Sequence, residues 1–261
     1  MAEKLNLGIL QPKTKAVFDL LADQPEMSGF TLIGGTALAL QIGHRISNDL
    51  DFITLSGQLP ERKLDMMMTR LAGKGHTALL TTEQSQISAF RIQNGESLLK
   101  YVRDYAIDTV KVTFIADIRN PNQIKFYKRT PKITIPDCRY TIMGLEGLKA
   151  SKTLVLAGRI KSRDLYDLMI LTRDHHYSIE QAMQYIEELG GNNSPEYYKA
   201  VLRGEMLLDN NDEGLKPVGV KTGMKEIYAF FNSRIDEYEI ALAAKAMLPE
   251  KQRSRRRRMK G

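Results

Sequence analysis

The pattern of apolar and polar residues changes along the chain in a way that predicts an α+β protein. Short apolar runs of strand-like composition fall within the first 140 residues, at 30–33, 52–53, 78–80, 87–92 and 109–115. From residue 145 onward, apolar residues recur at spacings of three and four, which is typical of the buried face of a helix. We therefore expect a core domain with a mixed β-sheet and flanking helices over residues 1–140. A mostly helical domain should follow over residues 141–248.

The segment Phe30 to Ile53 combines several features that bear on chemistry. An apolar strand runs into Gly34-Gly35, a short helix-compatible stretch and a polar loop follow, and the loop leads into Asp49-Leu50-Asp51. Glycines allow a sharp turn and a close approach by a phosphate, and the start of the next helix offers free N–H groups. A Gly-Gly pair alone is usually only a turn, but this order of features favours a phosphate site.

The two acids of this segment, Asp49 and Asp51, are two residues apart. Residues at that spacing on an extended chain face the same side, so their carboxylates should project together. Carboxylate oxygens suit Mg²⁺, which takes one or two of them and shares the rest of its shell with substrate phosphates. The alternative interpretation is a solvated strand end without a metal.

A second segment with candidate chemistry spans residues 149–171. Lys152 falls within the apolar stripe of a predicted helix, where a lysine is costly unless it meets an anion or reaches solvent at the edge of the core. Asp164 and Asp167 lie three apart at the start of the next predicted helix. They are either functional acids, or capping groups that pair with Arg159 or other nearby cations.

Together the two segments resemble the AbiEii/AbiGii family of nucleotidyltransferase-like toxins, whose fold is related to the DNA polymerase β superfamily. The resemblance lies in Gly34-Gly35-Thr36, in His44-Arg45-x-Ser47, in Asp49-Leu50-Asp51-Phe52, and in an Ala-x-Lys helix followed by Arg163-Asp164-x-x-Asp167. It implies the transfer of a nucleotide from an NTP to an acceptor. The acceptor by resemblance is RNA, with the 3′ end of tRNA favoured, and the protein is the toxin of a toxin–antitoxin pair used in phage defence.

The resemblance also assigns roles to individual residues. Asp49 and Asp51 would hold Mg²⁺, Lys152 would neutralise the triphosphate, and Asp164 would position or deprotonate the attacking hydroxyl. The phosphates would be cradled by Gly34, Gly35, Thr36 and Ser47, with Arg45 as a further cation. Arg45 has an alternative role as a purely structural partner of the loop.

The sequence departs from the superfamily pattern at one position. Related enzymes often carry a third carboxylate on a strand such as 109–115, and here the position that should face the site is Thr113. Asp108 and Asp117 lie nearby but outside that position. We expect two firm carboxylates, and a full two-metal mechanism is in doubt.

Charge is concentrated at the C-terminus of this basic chain. The formal net charge is +7 at pH 7, and most of the excess lies in residues 249–261, which we predict to be a disordered basic tail. The tail either grips nucleic-acid phosphates or is only a solubilising terminus. Residues 118–142 interleave cations with aromatic residues, which indicates either nucleic-acid contact or an ordinary connection.

Several classes of protein are excluded or disfavoured by composition. The single cysteine, Cys138, excludes an internal disulfide framework, and no run of 18 or more apolar residues predicts a membrane span. We expect a cytoplasmic protein with no membrane partner. Two alternative functions stay open: a superfamily enzyme that modifies a small molecule or a protein, and a catalytically weak module that binds a nucleotide or RNA.

Overall fold

The computed structural model describes residues 5–116 and 120–247, and it divides the chain into two compact units. The first unit comprises the chain up to Lys152 together with residues 188–190 and 216–220. The second comprises residues 153–187, 191–215 and the chain from Lys221 onward. Asp117 and the predicted basic tail lie outside the described residues. The predicted boundary between residues 140 and 141 stays a prediction.

The first unit is built on a seven-stranded mixed sheet with the strand order β3-β4-β5-β2-β1-β7-β6. Its strands are β1 (Thr31–Ile33), β2 (Leu50–Ile53), β3 (Ala78–Leu80), β4 (Val102–Ile107), β5 (Val110–Ile115), β6 (Lys132–Thr134) and β7 (Thr141–Met143). β1 pairs with β2 antiparallel and with β7 parallel, and β2 pairs with β5 parallel. The predicted α+β class with a mixed sheet is therefore confirmed.

Ten α-helices accompany this sheet in the described chain. Six lie wholly or mainly in the first unit: α1 (Pro12–Ala22), α2 (Gly34–Ile42), α3 (Glu61–Gly73), α4 (Gln84–Asn94), α5 (Pro121–Arg129) and α6 (Leu145–Leu154). The other four belong mainly to the second unit: α7 (Ser162–Asp174), α8 (Ile179–Leu189), α9 (Pro195–Arg203) and α10 (Met224–Met247). The C-terminal region is thus mostly helical, as predicted. Among the described residues, no helix combines the length and the apolar character needed to cross a lipid bilayer.

One face of the central strands forms an aromatic core. Phe52 on β2 is stacked on Phe114 of β5 with ring centroids 5.7 Å apart, and Tyr140 meets Phe52 edge to face at 4.9 Å. All three side chains are almost fully buried. Because side chains alternate along a strand, the residues between them point to the opposite face of the sheet. That opposite face carries Asp51 and Thr113, which are register partners.

The structure corrects three local predictions. The predicted strand at 87–92 is wrong, because this segment is part of α4, which ends at Gly95 in the left-handed region (φ 71°). α4 buries none of its residues, so its apolar positions gave no clear helical stripe. β4 was missed, although Asp108 and Thr109, both with positive φ, form the two-residue turn that joins it to β5. The segment after Asn120 forms the helix α5, where only a loop leading to β6 was expected.

Candidate active site

The turn between β1 and α2 requires a glycine for two reasons. Gly34 has φ 74°, a conformation that strains residues with a side chain. A Cβ added there would also lie 2.5 Å from Oδ2 of Asp51. Ile33 and Asp51 are register partners in the β1–β2 pair. The Asp51 carboxylate therefore lies directly against the turn that begins α2.

The second glycine allows a close approach by protein side chains. A Cβ on Gly35 would lie 2.6 Å from Nη2 of Arg45 and 3.0 Å from Oγ of Ser47. Arg45 and Ser47 are themselves buried, and Nη1 of Arg45 donates to the carbonyl of Ile46 at 3.0 Å. Four of the residues predicted to bind the phosphates, Gly34, Gly35, Arg45 and Ser47, thus lie together at this turn. The space next to the Gly35 Cα is filled by Arg45 and Ser47.

Thr36 ties the loop before the acids to α2. It is 1% exposed, and its hydroxyl donates to the backbone carbonyl of Asp49 at 2.5 Å and lies 2.9 Å from Oγ of Ser47. The loop is also held by Thr14, whose hydroxyl donates to the carbonyl of Asn48 at 3.2 Å. These bonds fix the backbone that carries Asp49. The Thr36 side chain therefore positions the loop.

The N-terminus of α2 has no side-chain cap. Ile33 occupies the N-cap position in an extended conformation and offers no hydrogen-bonding side chain. The first turn of a helix exposes N–H groups that lack partners within the helix, and these groups together with the helix dipole favour an anion. An uncapped helix start beside Asp51 suits a phosphate that also binds a cation held by that acid.

Asp49 and Asp51 are both partly exposed, whereas Leu50 between them is fully buried. Asp51 lies within β2 and Asp49 immediately precedes it. Two carboxylates of this kind match the donor set that Mg²⁺ takes from a protein when phosphate oxygens complete its shell. Among the described residues, no group of three or more His, Cys, Asp and Glu side chains could hold a metal. The residues present therefore fit a site with two protein carboxylates.

The position of a third acid is occupied by Thr113, as the spacing predicted. Thr113 is the register partner of Asp51 on β5, and its hydroxyl donates to Oδ1 of Asp104 at 2.7 Å. Asp104 lies opposite Thr113 on β4, one strand further from Asp51. Asp104 is not among the acids predicted from the sequence, because β4 was not predicted. The buried face of β4 carries Arg103 with Tyr105 and Ile107, so apolar and polar residues do not alternate along this strand and no clear pattern marked it.

Asp108, considered above as a third acid, has a different role. It lies in the β4–β5 turn, where its carboxylate accepts hydrogen bonds from the backbone N–H of Thr77 and lies 2.6 Å from Nδ1 of His76. The hydrogen bond with His76 is the main cause that lowers the pKa of the Asp108 carboxyl from its ordinary value. These contacts stabilise the turn.

Lys152 lies in the last turn of α6 and is buried, as the apolar stripe predicted. Its side chain is only 4% exposed, and it belongs to the same compact unit as Asp49 and Asp51. Lys149, one turn earlier, is also buried and pairs with Glu146 at 2.7 Å. A compact ammonium group suits a phosphate, and the contact of Lys152 with a triphosphate that the family resemblance implies stays a prediction.

Asp164 and Asp167 belong to the second unit, near the N-terminus of α7. Both are almost fully buried. Arg159 forms a two-point contact with Asp164, with Nε 2.8 Å from Oδ2 and Nη2 3.2 Å from Oδ1. The ion pair with Arg159 that the sequence offered as an alternative is therefore present. A catalytic role for Asp164 stays a prediction.

A mixed sheet that brings a Gly-Gly turn, an uncapped helix start and two neighbouring acids together is typical of nucleotidyltransferases. The family model described as nucleotidyl transferase AbiEii toxin, type IV toxin–antitoxin system, matches residues 15–255. The chain belongs to this family. The predicted family is thus confirmed, and membership implies a nucleotidyltransferase with a cognate antitoxin.

Individual relatives are more distant. An uncharacterized protein of Aquifex aeolicus (strain VF5) is 24% identical over 216 residues, which cover 80% of this chain and 87% of the relative. Among solved structures, JHP933 from Helicobacter pylori is 14% identical, with a TM-score of 0.44 over 90% of this chain and 98% of that one. The nucleotidyltransferase toxin MenT4 of Mycobacterium tuberculosis H37Rv is 12% identical, with a TM-score of 0.45 over 86% and 84% of the two chains.

Proposed function

We propose that this protein transfers a nucleoside monophosphate from an NTP to a hydroxyl of RNA, with the 3′ end of tRNA as the preferred acceptor. The observation that supports this most strongly is the contact between the Gly34 turn and the Asp51 carboxylate at the uncapped start of α2. That arrangement offers an anion-binding helix end and a cation-binding acid at the same place. Transfer would make the protein the toxin of a type IV pair that its antitoxin opposes, and a role in phage defence follows.

Binding of the NTP uses residues of the first unit. Backbone N–H groups at Gly34, Gly35 and Thr36 would donate to phosphate oxygens, while Arg45, Ser47 and Lys152 would add charge and hydrogen bonds. Asp49 and Asp51 would hold Mg²⁺, which when bound neutralises the charge of the triphosphate. Positioning and charge stabilisation would supply most of the catalysis.

The chemical step breaks a phosphoanhydride bond of the NTP and forms a phosphodiester bond to the acceptor. The acceptor oxygen forms a bond to the α-phosphorus, the bond from that phosphorus to the bridging oxygen breaks, and pyrophosphate leaves with the electron pair. The family resemblance assigns to Asp164 the positioning of the acceptor hydroxyl and the acceptance of its proton, and within its own unit Arg159 holds that carboxylate in one orientation.

The direct test incubates the purified protein with Mg²⁺, total RNA and each α-labelled NTP in turn. Label in a discrete RNA band that disappears in Asp51→Ala and persists in Asp19→Ala would support the proposal and identify the base and the acceptor. Asp19 is a suitable control because it is an exposed acid on α1. Label on protein, or on an added small molecule, would move the acceptor to another class.

A nucleotide- or RNA-binding module is the second candidate function. Thr113 in the place of a third acid favours it, because the described site then lacks a second set of carboxylate ligands. Measurable binding of NTP without release of pyrophosphate, for all four NTPs and with RNA present, would support this module and contradict the transferase.

A further inference from the structure

Helix α5 carries a cationic surface that the proposed active site does not use. Residues 118–136 contain no Asp or Glu. Within this segment Lys125, Lys128 and Arg129 are exposed, and no described carboxylate lies within ion-pair distance of them. Many other cations of the protein are paired; Arg70, for example, binds Glu26, and Lys149 binds Glu146. The α5 face is therefore a local excess of positive charge.

The opposite side of α5 is anchored to the first unit. Asn120 caps the helix by accepting from the backbone N–H of Asn122 at 2.9 Å. The side chains of Asn122 and Gln123 donate to the backbone carbonyls of Glu188 and Leu189 at 3.2 and 3.0 Å. Gln123 and the buried Tyr127, four residues apart, mark the inward side of α5, whereas Asn122 lies at the edge of the outward side, seven residues before Arg129.

The outward side forms a groove of about 390 Å³, lined by Pro121, Ile124, Lys125, Lys128 and Arg129. Two of the lining residues are apolar and three are cations. Lys128 and Arg129 lie three and four residues after Lys125, so both are its neighbours on the same side of the helix. A groove lined by both apolar residues and cations matches a nucleotide unit, because it offers a surface for the base and charges for the phosphates.

The composition of this face favours nucleic acid over a protein partner. Protein–protein interfaces are depleted in lysine and centre on buried apolar or aromatic anchors. The large exposed hydrophobic residues of the described chain all lie elsewhere, for example Ile92 on α4 and Leu207 after α9. Protein–nucleic-acid interfaces are in contrast more polar and much more positively charged.

We propose that the α5 face, defined as Pro121, Ile124, Lys125, Lys128 and Arg129, binds the sugar-phosphate backbone of the RNA acceptor. The proposal rests on the proposed function for the identity of the RNA, whereas binding itself is measured without any transfer reaction. Contacts to phosphate position a nucleic acid without reading its sequence. The α5 face would therefore increase affinity for RNA in general, and the active site would select the hydroxyl that reacts.

The test compares tRNA binding by the full-length wild type with K125E/K128E/R129E. The matched control R62E/K74E/R91E reverses the same number of exposed charges at scattered positions on or beside α3 and α4. Fluorescence anisotropy of labelled tRNA, without NTP and over a series of KCl concentrations, gives affinity and salt dependence. We expect the α5 variant to bind about tenfold or more weakly, and its log–log salt slope to fall by roughly two, since each lost phosphate contact removes 0.7 to 0.9. The control should stay close to the wild type.

Three outcomes would overturn the proposal. The α5 variant could bind tRNA as the wild type does. The control could lose as much affinity as the α5 variant, in which case only net charge matters. The α5 variant could lose as much affinity for poly-L-aspartate as for tRNA, in which case the face binds acidic polymers of any kind. All proteins are compared by circular dichroism and by NTP binding to confirm that the fold and the nucleotide site are intact.

The two proposals fail in distinguishable ways. A wild-type protein that transfers no label, but whose α5 variant loses tRNA binding, would disprove the transferase and leave the RNA-binding face. Transfer by the wild type together with unchanged tRNA binding by the α5 variant would support the transferase and disprove the RNA-binding face.

Discussion

The substitution Gly34→Ala separates the two reasons for glycine at the start of α2. A residue with a side chain in the left-handed region costs about 1–2 kcal/mol, and each kcal/mol lowers the melting temperature by about 2–4 °C in a chain of about this size. The new methyl group would also lie 2.5 Å from Oδ2 of Asp51. That contact can be relieved by rotation of the Asp51 carboxylate, which costs little stability but moves a group that the reaction needs.

We therefore expect a large loss of activity and a modest loss of stability. The melting temperature of Gly34→Ala should fall by about 2–8 °C, from the strain alone. Turnover in the NTP labelling assay should fall about 100-fold or more, because misplacement of a catalytic group by an ångström has effects of that size.

Gly29→Ala is the matched control. Gly29 also has a positive φ, 92°, but a Cβ there would have no neighbour within 4 Å. It should show a similar thermal shift and retain nearly full turnover. Equal turnover in Gly34→Ala and Gly29→Ala would refute the assignment of Asp51 to the reacting site.

Three further predictions concern single side chains. Thr36→Val should lower the free energy of unfolding by about 1–3 kcal/mol, because the partly buried carbonyl of Asp49 loses its hydrogen-bond donor, and it should reduce turnover. Thr36→Ser should retain both stability and turnover. Lys152→Met should weaken NTP binding by about tenfold or more, since a hydrogen bond to a charged group contributes about 1.5–3 kcal/mol. Calorimetric titration with NTP would measure this loss, with the thermal stability of the variant as the control. Arg70 lowers the pKa of Glu26 from its ordinary value of 4.5, so the ionised form stabilises the fold. The melting temperature of Glu26→Gln should therefore lie furthest below that of the wild type near pH 7, and the difference should shrink as pH falls through the pKa of Glu26.

Each of these has a contrary outcome. An unaltered turnover in Thr36→Val would show that the loop backbone needs no anchor there. A Lys152→Met protein that binds every NTP like the wild type would remove Lys152 from the nucleotide site. A deficit of Glu26→Gln that is independent of pH would mean that charge plays no part in that pair.

Local sequence was sufficient for the elements with strong patterns. The alternation at 109–115 correctly predicted β5 and its Thr113 facing the acids, because a strand with one buried face must alternate. The order of strand, glycines, helix and acids likewise placed Asp51 near the Gly34 turn. Weak patterns failed. α4 buries none of its residues, so burial left no periodic imprint on its sequence.

Tertiary structure alone decided what the side chains around the acids do. The sequence predicted a phosphate role for Thr36, Arg45 and Ser47, which stays a prediction, but it did not predict that their side chains also pack the glycine turn and hold the loop of Asp49. Those contacts join residues ten or more positions apart, and no local pattern encodes such a distance. Asp104 lies near these acids only because β4 pairs with β5 in the folded sheet. The sequence by itself determined the family, the class of fold and the candidate acids, because these depend on local order and spacing. Only the fold decided which groups surround those acids, because that depends on the pairing of strands distant in the chain.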